Sequence, residues 1–543
     1  MNSTSDYKVK GDKVESGHSI RILANSREQA RKCPRRLCLF LLVLLLFTLA
    51  PVASATSWFV DSTASGSNNG SSWANAWKSF AAINWGSIRA GDTLYISGGS
   101  VSQTYTEAWS VGAAGSNGSP ITIAVGQDTG HNGTVIFDFN GDGDNSTRTA
   151  IFAQHNYITF DGSYAGASHF QINNLRNTQD RTTANGIDAS GTTGLVVKYV
   201  TFINDNNPIA ATSSTGFSIH HNNLQQVRGD AAMRLAGSSG SFDASWIYSN
   251  YVETMQNSCC GGPDGIQVSS GVSMYNNVFK EIVTTVITST QHPDMVQATG
   301  NYLKFYNNEV INIGDSAFDF DCYANSNPHD VWIYNNVFHI IDVIDPYPEY
   351  FRLYTSGAGV QSINNFKILN NVFVDAQGQR VVRFNAFNGN PTGSGNEIRN
   401  NIWYNDGEGV WEQYFYIDDS SGFTTNSFTF SNNVYYRSTG TAHVFFRGTD
   451  YTAVDWVAAH EPSASTAQPT FVNYVANGAN NDFHLQASDT VARDTGIDLS
   501  SFFNIDKDGV TRPQGSAWDR GPYEFQPGGQ KPDPPTNLTA IVK

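Results

Sequence analysis

Short runs of alternating apolar and polar residues, broken by pairs of asparagine, dominate the middle of the chain. Val331-Trp332-Ile333-Tyr334 and Val337-Phe338-His339-Ile340-Ile341 flank Asn335-Asn336 in this way. Alternation over so few residues predicts strands rather than helices. The same unit recurs at His221-Asn222-Asn223-Leu224, Tyr248-Ser249-Asn250-Tyr251, Tyr275-Asn276-Asn277-Val278, Tyr306-Asn307-Asn308-Glu309, Tyr334-Asn335-Asn336-Val337, Leu369-Asn370-Asn371-Val372, Arg399-Asn400-Asn401-Ile402 and Ser431-Asn432-Asn433-Val434. Successive second positions lie 27, 27, 31, 28, 35, 30 and 32 residues apart. A period near thirty predicts a solenoid with one coil per repeat. Asparagine tolerates left-handed backbone, and its amide can bond the asparagine of the next coil, so a tight corner selects it.

Three short strands per coil give an all-β, right-handed parallel β-helix. With its cornering asparagines, the stretch from about residue 57 to 525 resembles the pectate-lyase-like superfamily of secreted β-helices. Trp58-Phe59-Val60-Asp61 and Lys78-Ser79-Phe80-Ala81-Ala82-Ile83 are similar to the opening strand and capping helix of such proteins. A cap is physically required, because an open end exposes core and backbone. Asp482-Phe483-His484-Leu485, Asp494-Thr495-Gly496, Asp506–Pro513 and Asp519–Phe525 resemble the closing segment of bacterial members. Residues 526–535 read as a Pro/Gly linker. Thr536–Lys543 resembles the first strand of a fibronectin type III module, too short to form one.

Composition agrees with a strand-rich protein: 49 Gly, 33 Phe and 24 Tyr among 543 residues, and only 15% charged. The net charge of −16 argues against nucleic acid or an anionic membrane as partner. Residues 37–50 form an apolar run preceded by Arg31, Lys32, Arg35 and Arg36 and followed by Ala53-Ser54-Ala55. This predicts a signal peptide over 1–55, with the domain at 56–525 outside the cytoplasm and no membrane insertion after cleavage. Cleavage takes the net charge to −21, through loss of nine basic and four acidic side chains. The mature chain keeps Cys259, Cys260 and Cys322, which make no disulfide framework, although one bridge is open to them.

In the resembled family the cleft follows one strand of every coil. The matching segments here centre a polar residue between apolar ones: Met233-Arg234-Leu235, Ile266-Gln267-Val268, Val296-Gln297-Ala298, Phe318-Asp319-Phe320, Phe351-Arg352-Leu353 and Val382-Arg383-Phe384. Arg234, Gln267, Gln297, Asp319, Arg352 and Arg383 are therefore expected in one outward column. Asp230, Asp264, Asp294 and Asp321 lie beside it. Pro263-Asp264-Gly265-Ile266-Gln267 and Pro293-Asp294-Met295-Val296-Gln297, the latter after His292, place two carboxylates about 5 Å apart in consecutive coils. Such a pair shares a proton or binds a cation. The plainer reading makes the aspartates loop caps and the glutamines an amide ladder.

This set predicts a monomeric protein acting on a polysaccharide. Asp264, Asp294, His292, Arg234 and Arg352 are the catalytic candidates. Gln267, Gln297, Asp319 and Arg383 are candidates for substrate binding, and Asp264, Asp294, Asp319 and Asp321 for Ca2+, which holds this role in several related lyases. The arginines suit uronates, favouring β-elimination, with an arginine or His292 as base. Tyr323 and His329 are further candidates. Glycoside hydrolysis by the same carboxylates is the alternative, as is a non-catalytic glycan-binding surface protein. The paired-Asp, Gly-His-Gly and Arg-x-Lys set of polygalacturonases is absent as such; Asn185-Gly186-Ile187-Asp188 is a weak, structural echo. Asp138–Asp144 begins like a calcium loop but has Thr149 at its twelfth position, so a turn is the simpler reading. Trp332, Trp403, Tyr404 and Trp411 are expected in the core or in stacks between coils before sugar contacts.

Overall fold

The computed structural model describes residues 55–139, 149–175, 184–227, 229–243, 245–251, 264–284, 293–313, 316–321, 327–341, 349–354, 360–375, 380–384, 387–406, 413–417 and 426–527. The predicted signal peptide, linker and fibronectin-like stub, the three cysteines, His292, Tyr323, Trp411 and the turn of the acidic loop at 140–148 lie outside those residues, almost in their entirety.

Among the described residues, the strands stack in three long sheets of 13, 12 and 13 strands, each pairing with the equivalent strand of the next coil. The chain visits the sheets in rotation. Val331–Tyr334 lies in the first sheet, Val337–His339 in the second and Glu349–Tyr354 in the third. Pairing is parallel throughout these three, except where Thr449–Thr452 turns back along His443–Phe446 at the last coil. This is a parallel β-helix, right-handed as parallel crossovers are.

Inward residues form stacks along the axis. Phe338, Phe373, Trp403 and Tyr435 pair in register, with ring centroids 5.0, 5.4 and 5.1 Å apart. Trp403 and Tyr404 thus belong to buried packing. Trp332 is met by the edge of Phe502 and by Lys304 Nζ, 5.0 Å from its ring centre.

The asparagine pairs divide their labour. The first member takes left-handed backbone, with φ of 56° at Asn276, Asn307, Asn400 and Asn432. The second is buried and runs a ladder: Asn277, Asn308, Asn336 and Asn371 each donate from backbone and side-chain N–H to Oδ1 of the next. The ladder continues through Asn401 to Asn433 and ends on Glu461 Oε1. Inside a core this satisfaction matters, because each orphaned amide would cost about 1–3 kcal/mol.

At the first two units the sequence phase is wrong. Asn222, not Asn223, occupies the ladder, and His221 takes the left-handed turn with φ 57°. The next rung is Ser245, which accepts from Asn222 N and donates its own N–H to Asn277. Asn250 lies within the strand Trp246–Tyr251. Serine can fill a rung, and a sequence search for asparagine passes over it.

Both ends differ from expectation in detail. At the N-terminus, Phe80–Ala82 is one 3₁₀ turn, not an α-helix; Phe80 caps the core against Trp109, 4.7 Å between ring centres. At the other end, the hairpin and the helix Ala453–Ala459 cover the last coil with buried Trp456. Residues 494–525 do not close that end. They run back along the outside of the asparagine corner, where Asn335, Asn370, Asn400 and Asn432 donate to the carbonyls of Ile505, Asp519, Ile497 and Thr495.

Candidate functional site

The third sheet carries the predicted column. Arg234, Gln267, Gln297, Asp319, Arg352 and Arg383 are direct partners from one coil to the next. Arg234, Gln267, Gln297, Arg352 and Arg383 are partly exposed and Asp319 is buried, while their neighbours in each strand point into the core, because side chains alternate along a strand. The column extends further: Phe152, Asp188 and Ala210 precede Arg234, and Tyr416 and Phe445 follow Arg383. Asp188, which the sequence offered as a structural echo, is thus two coils from Arg234.

A second row begins each strand three residues earlier. It consists of Ala231, Asp264, Asp294, Ser316, Glu349 and Arg380. Asp264 and Asp294 are buried, 2% and 0% exposed. Asp264 Oδ1 accepts from Asp294 N at 3.1 Å, and its Oδ2 accepts from Gln267 Nε2 at 3.1 Å. Gln267 also reaches Asp230 at 3.2 Å, and Ser316 Oγ bonds Asp294. Burial first, and then the neighbouring Asp294 carboxylate, pushes the Asp264 carboxyl well above the ordinary carboxylate range. The two adjacent buried carboxylates thus favour the protonated form of Asp264, beside Gln267. Gln267 bonds the aspartates here, whereas the plainer sequence reading gave it to an amide ladder.

Further along, charge is paired. Arg352 donates from Nε and Nη2 to the two oxygens of Asp319, both at 3.0 Å, with Asp294 at 3.8 Å from the same Nη2. Arg383 donates from Nη1 to Glu349 Oε1 at 3.1 Å. Arg380 lies over Tyr416, 4.2 Å from its ring centre. Arg234 is 4.0 Å from Asp230. His329 sits away from the column, in a bridge with Asn364, and bonds Asp330 at 2.6 Å.

Sequence reasoning missed Ser316, Glu349 and Arg380. Their signal was present: the spacing that joins Asp264 to Gln267 and Asp294 to Gln297 also joins Ser316 to Asp319, Glu349 to Arg352 and Arg380 to Arg383.

The donors predicted for calcium do not make a cage. Asp319 gives both oxygens to Arg352, Asp264 is engaged by Gln267 and Asp294 N–H, and the Asp321 side chain lies outside the described residues. Calcium takes six to eight oxygens, several of them anionic. Among the described residues no group of three or more His, Cys, Asp or Glu is arranged to hold a metal ion. Among them, too, no helix is long and apolar enough to cross a membrane.

No family model matches the chain. No curated protein matches it either. Solved structures do. A complex of XylC with xylose aligns at TM-score 0.51 and 10% identity, over 87% of this chain and 98% of that one. Pectate lyase Pel9A aligns at TM-score 0.39 and 14% identity, over 88% and 98%. PfbA, a surface adhesin of Streptococcus pneumoniae, aligns at TM-score 0.39 and 13% identity, over 69% and 93%. At these identities the likeness is one of fold: the chain has a parallel β-helix fold.

Proposed function

We propose that this is a secreted, monomeric carbohydrate-active protein that cleaves an acidic polysaccharide by β-elimination on the third sheet. The observation that carries the reading is the unbroken column from Arg234 to Arg383 beside the buried aspartates Asp264 and Asp294. Coils repeat at about 4.8 Å, close to the length of one sugar in an extended chain, so the column offers one polar contact per sugar.

In β-elimination a base removes the C5 proton of a uronate. The freed electron pair forms the C4–C5 double bond, the C4–O bond breaks, and the departing oxygen takes a proton. An arginine beside the uronate carboxylate makes the C5 proton more acidic by stabilising the charge that builds there. Arginine fills that role here. The Asp264–Asp294 pair supplies the proton for the leaving oxygen, while Gln267 and Gln297 hold sugar hydroxyls above it. Arg234, on the exposed side, and His292 are the candidates for the base.

A non-catalytic glycan-binding protein is the second reading, favoured by the near-complete burial of Asp264 and Asp294. The test is incubation of the chain from Thr56 with acidic and neutral polysaccharides, with and without EDTA. Ultraviolet absorbance of unsaturated uronates that survives EDTA supports the reading. Reducing ends without absorbance indicate hydrolysis; loss of activity in EDTA overturns the assignment of charge neutralisation to arginine. Binding without cleavage leaves the second reading.

A further inference from the structure

Arg234, Arg352 and Arg383 of the column all suit a uronate by residue type. Their surroundings are unequal. A guanidinium meets a carboxylate best along one edge, with two parallel N–H···O bonds. In Arg352 the Nε–Nη2 edge is already filled in this way by Asp319. Asp319 is 2% exposed and the Arg352 side chain 12%, so this pair is part of the wall.

One coil on, Arg383 is held differently. Glu349, itself buried, takes only Nη1, at 3.1 and 3.4 Å from its two oxygens. Arg383 Nε is buried and has no hydrogen-bond partner. The edge that Asp319 fills on Arg352 is thus unfilled on Arg383. Arg380 lies on the same strand, and its Nε is also buried and unpartnered. Arg380 lies over Tyr416, and a buried unpaired donor costs free energy until something accepts from it.

We infer that Arg383, oriented by Glu349 and supported by Arg380, is where the protein receives the carboxylate of an acidic sugar, and that Arg352 is not. The Arg352–Asp319 pair shows within the protein the contact that the sugar carboxylate makes on Arg383. This rests on the acidic-polysaccharide reading and adds the residue that reads the acid. Glu349 is a positioning residue: it holds the guanidinium through Nη1 and leaves the Nε edge unfilled. Recognition is then of a planar carboxylate, and a lysine, which offers a point charge without the fork, replaces Arg383 poorly.

The test is titration calorimetry of the full chain with oligogalacturonate, oligoglucuronate and oligoalginate, and with the same oligosaccharides after reduction of their carboxyls. Wild type is expected to bind at least one acidic oligosaccharide and to lose about tenfold or more on carboxyl reduction. Arg383→Lys should lose a similar factor for the acidic form while binding the reduced form as wild type does. Glu349→Gln should weaken the acidic form by a smaller factor, with an unchanged circular dichroism spectrum. Acidic binding untouched by Arg383→Lys overturns the inference and leaves the acidic-polysaccharide reading standing. Equal wild-type affinity for acidic and reduced forms, or no binding to either, overturns both. If Arg383→Lys fails to fold, Arg383→Met, which keeps the stem and removes the donors, takes its place and is read in the same way.

Discussion

Arg352 and Asp319, on adjacent coils, meet through two parallel hydrogen bonds of 3.0 Å. Both side chains are nearly buried, so the pair is a fixed part of the third sheet. Removing Asp319 takes both of these hydrogen bonds from the nearly buried Arg352 guanidinium. Asp319→Ala is therefore expected to destabilise the protein by about 3–5 kcal/mol. Asp319→Ala with Arg352→Met should recover much of that loss, as a chemical denaturation cycle would reveal. Equal losses in the single and double variants would refute the pairing.

The aspartate pair makes a prediction about pH. Asp264 holds its proton above the pH at which an unfolded aspartate loses it, so the native state binds more protons across that interval. Stability should fall as pH rises from about the ordinary Asp value of 3.8 through the raised native value. Asp264→Asn should flatten this dependence and keep or raise the neutral-pH melting temperature. Together with Asp294→Asn it should abolish turnover. A double variant of an active protein that kept its full rate would remove the pair from the mechanism.

A second titration belongs to the C-terminal segment. His484 bonds Asp482 at 2.5 Å and Asp508 at 2.8 Å, and stacks on Tyr523 with ring centres 3.9 Å apart. Burial lowers its pKa, but the two carboxylates outweigh this and raise it to about 9. The charged form is the stabilising one. Its contribution is complete below the ordinary value of 6.5 and is lost as pH climbs through about 9. Melting temperature should decline over that window in wild type and much less in His484→Gln. Parallel profiles would show that the bridge contributes nothing.

The phase of the asparagine ladder can be tested at its first rung. Asn222 accepts from Val200 N and donates to Val197 O, each at 2.9 Å, whereas Asn223 leaves its Oδ1 buried without a partner. Asn222→Ala should cost about 2–3 kcal/mol and Asn223→Ala clearly less. The reverse order would restore the phase read from the sequence.

The coil was legible because its cause is local. A left-handed corner and a buried amide rung both select asparagine, so six units from Asn277 to Asn433 fall where the repeat predicts. Where another residue meets the same physical need, as Ser245 does, the repeat slips. The column was legible for a related reason, since side-chain alternation fixes which residue of a strand faces out. What sequence could not supply was pairing across coils. Nothing in the order of residues says that Arg352 is closed by Asp319 while Arg383 remains open, because that depends on rotamers and on residues more than thirty positions away. The C-terminal segment was opaque for the same reason. Arg512 is fully buried against Glu524 at 2.7 Å and Asn335 at 3.2 Å, contacts that a closing segment at the end of the helix would not make.

The most direct test of the third-sheet site compares loss of one positive charge on two faces. Arg383→Ala lies on the column, and Lys304→Ala lies on the exposed surface of the first sheet over Trp332. Binding and turnover of the best acidic polysaccharide, measured at one fixed ionic strength, should drop about tenfold or more for the first and stay near wild type for the second. Equal effects of the two substitutions would mean that acidic glycans meet only a general electrostatic surface, and would contradict a site on the third sheet.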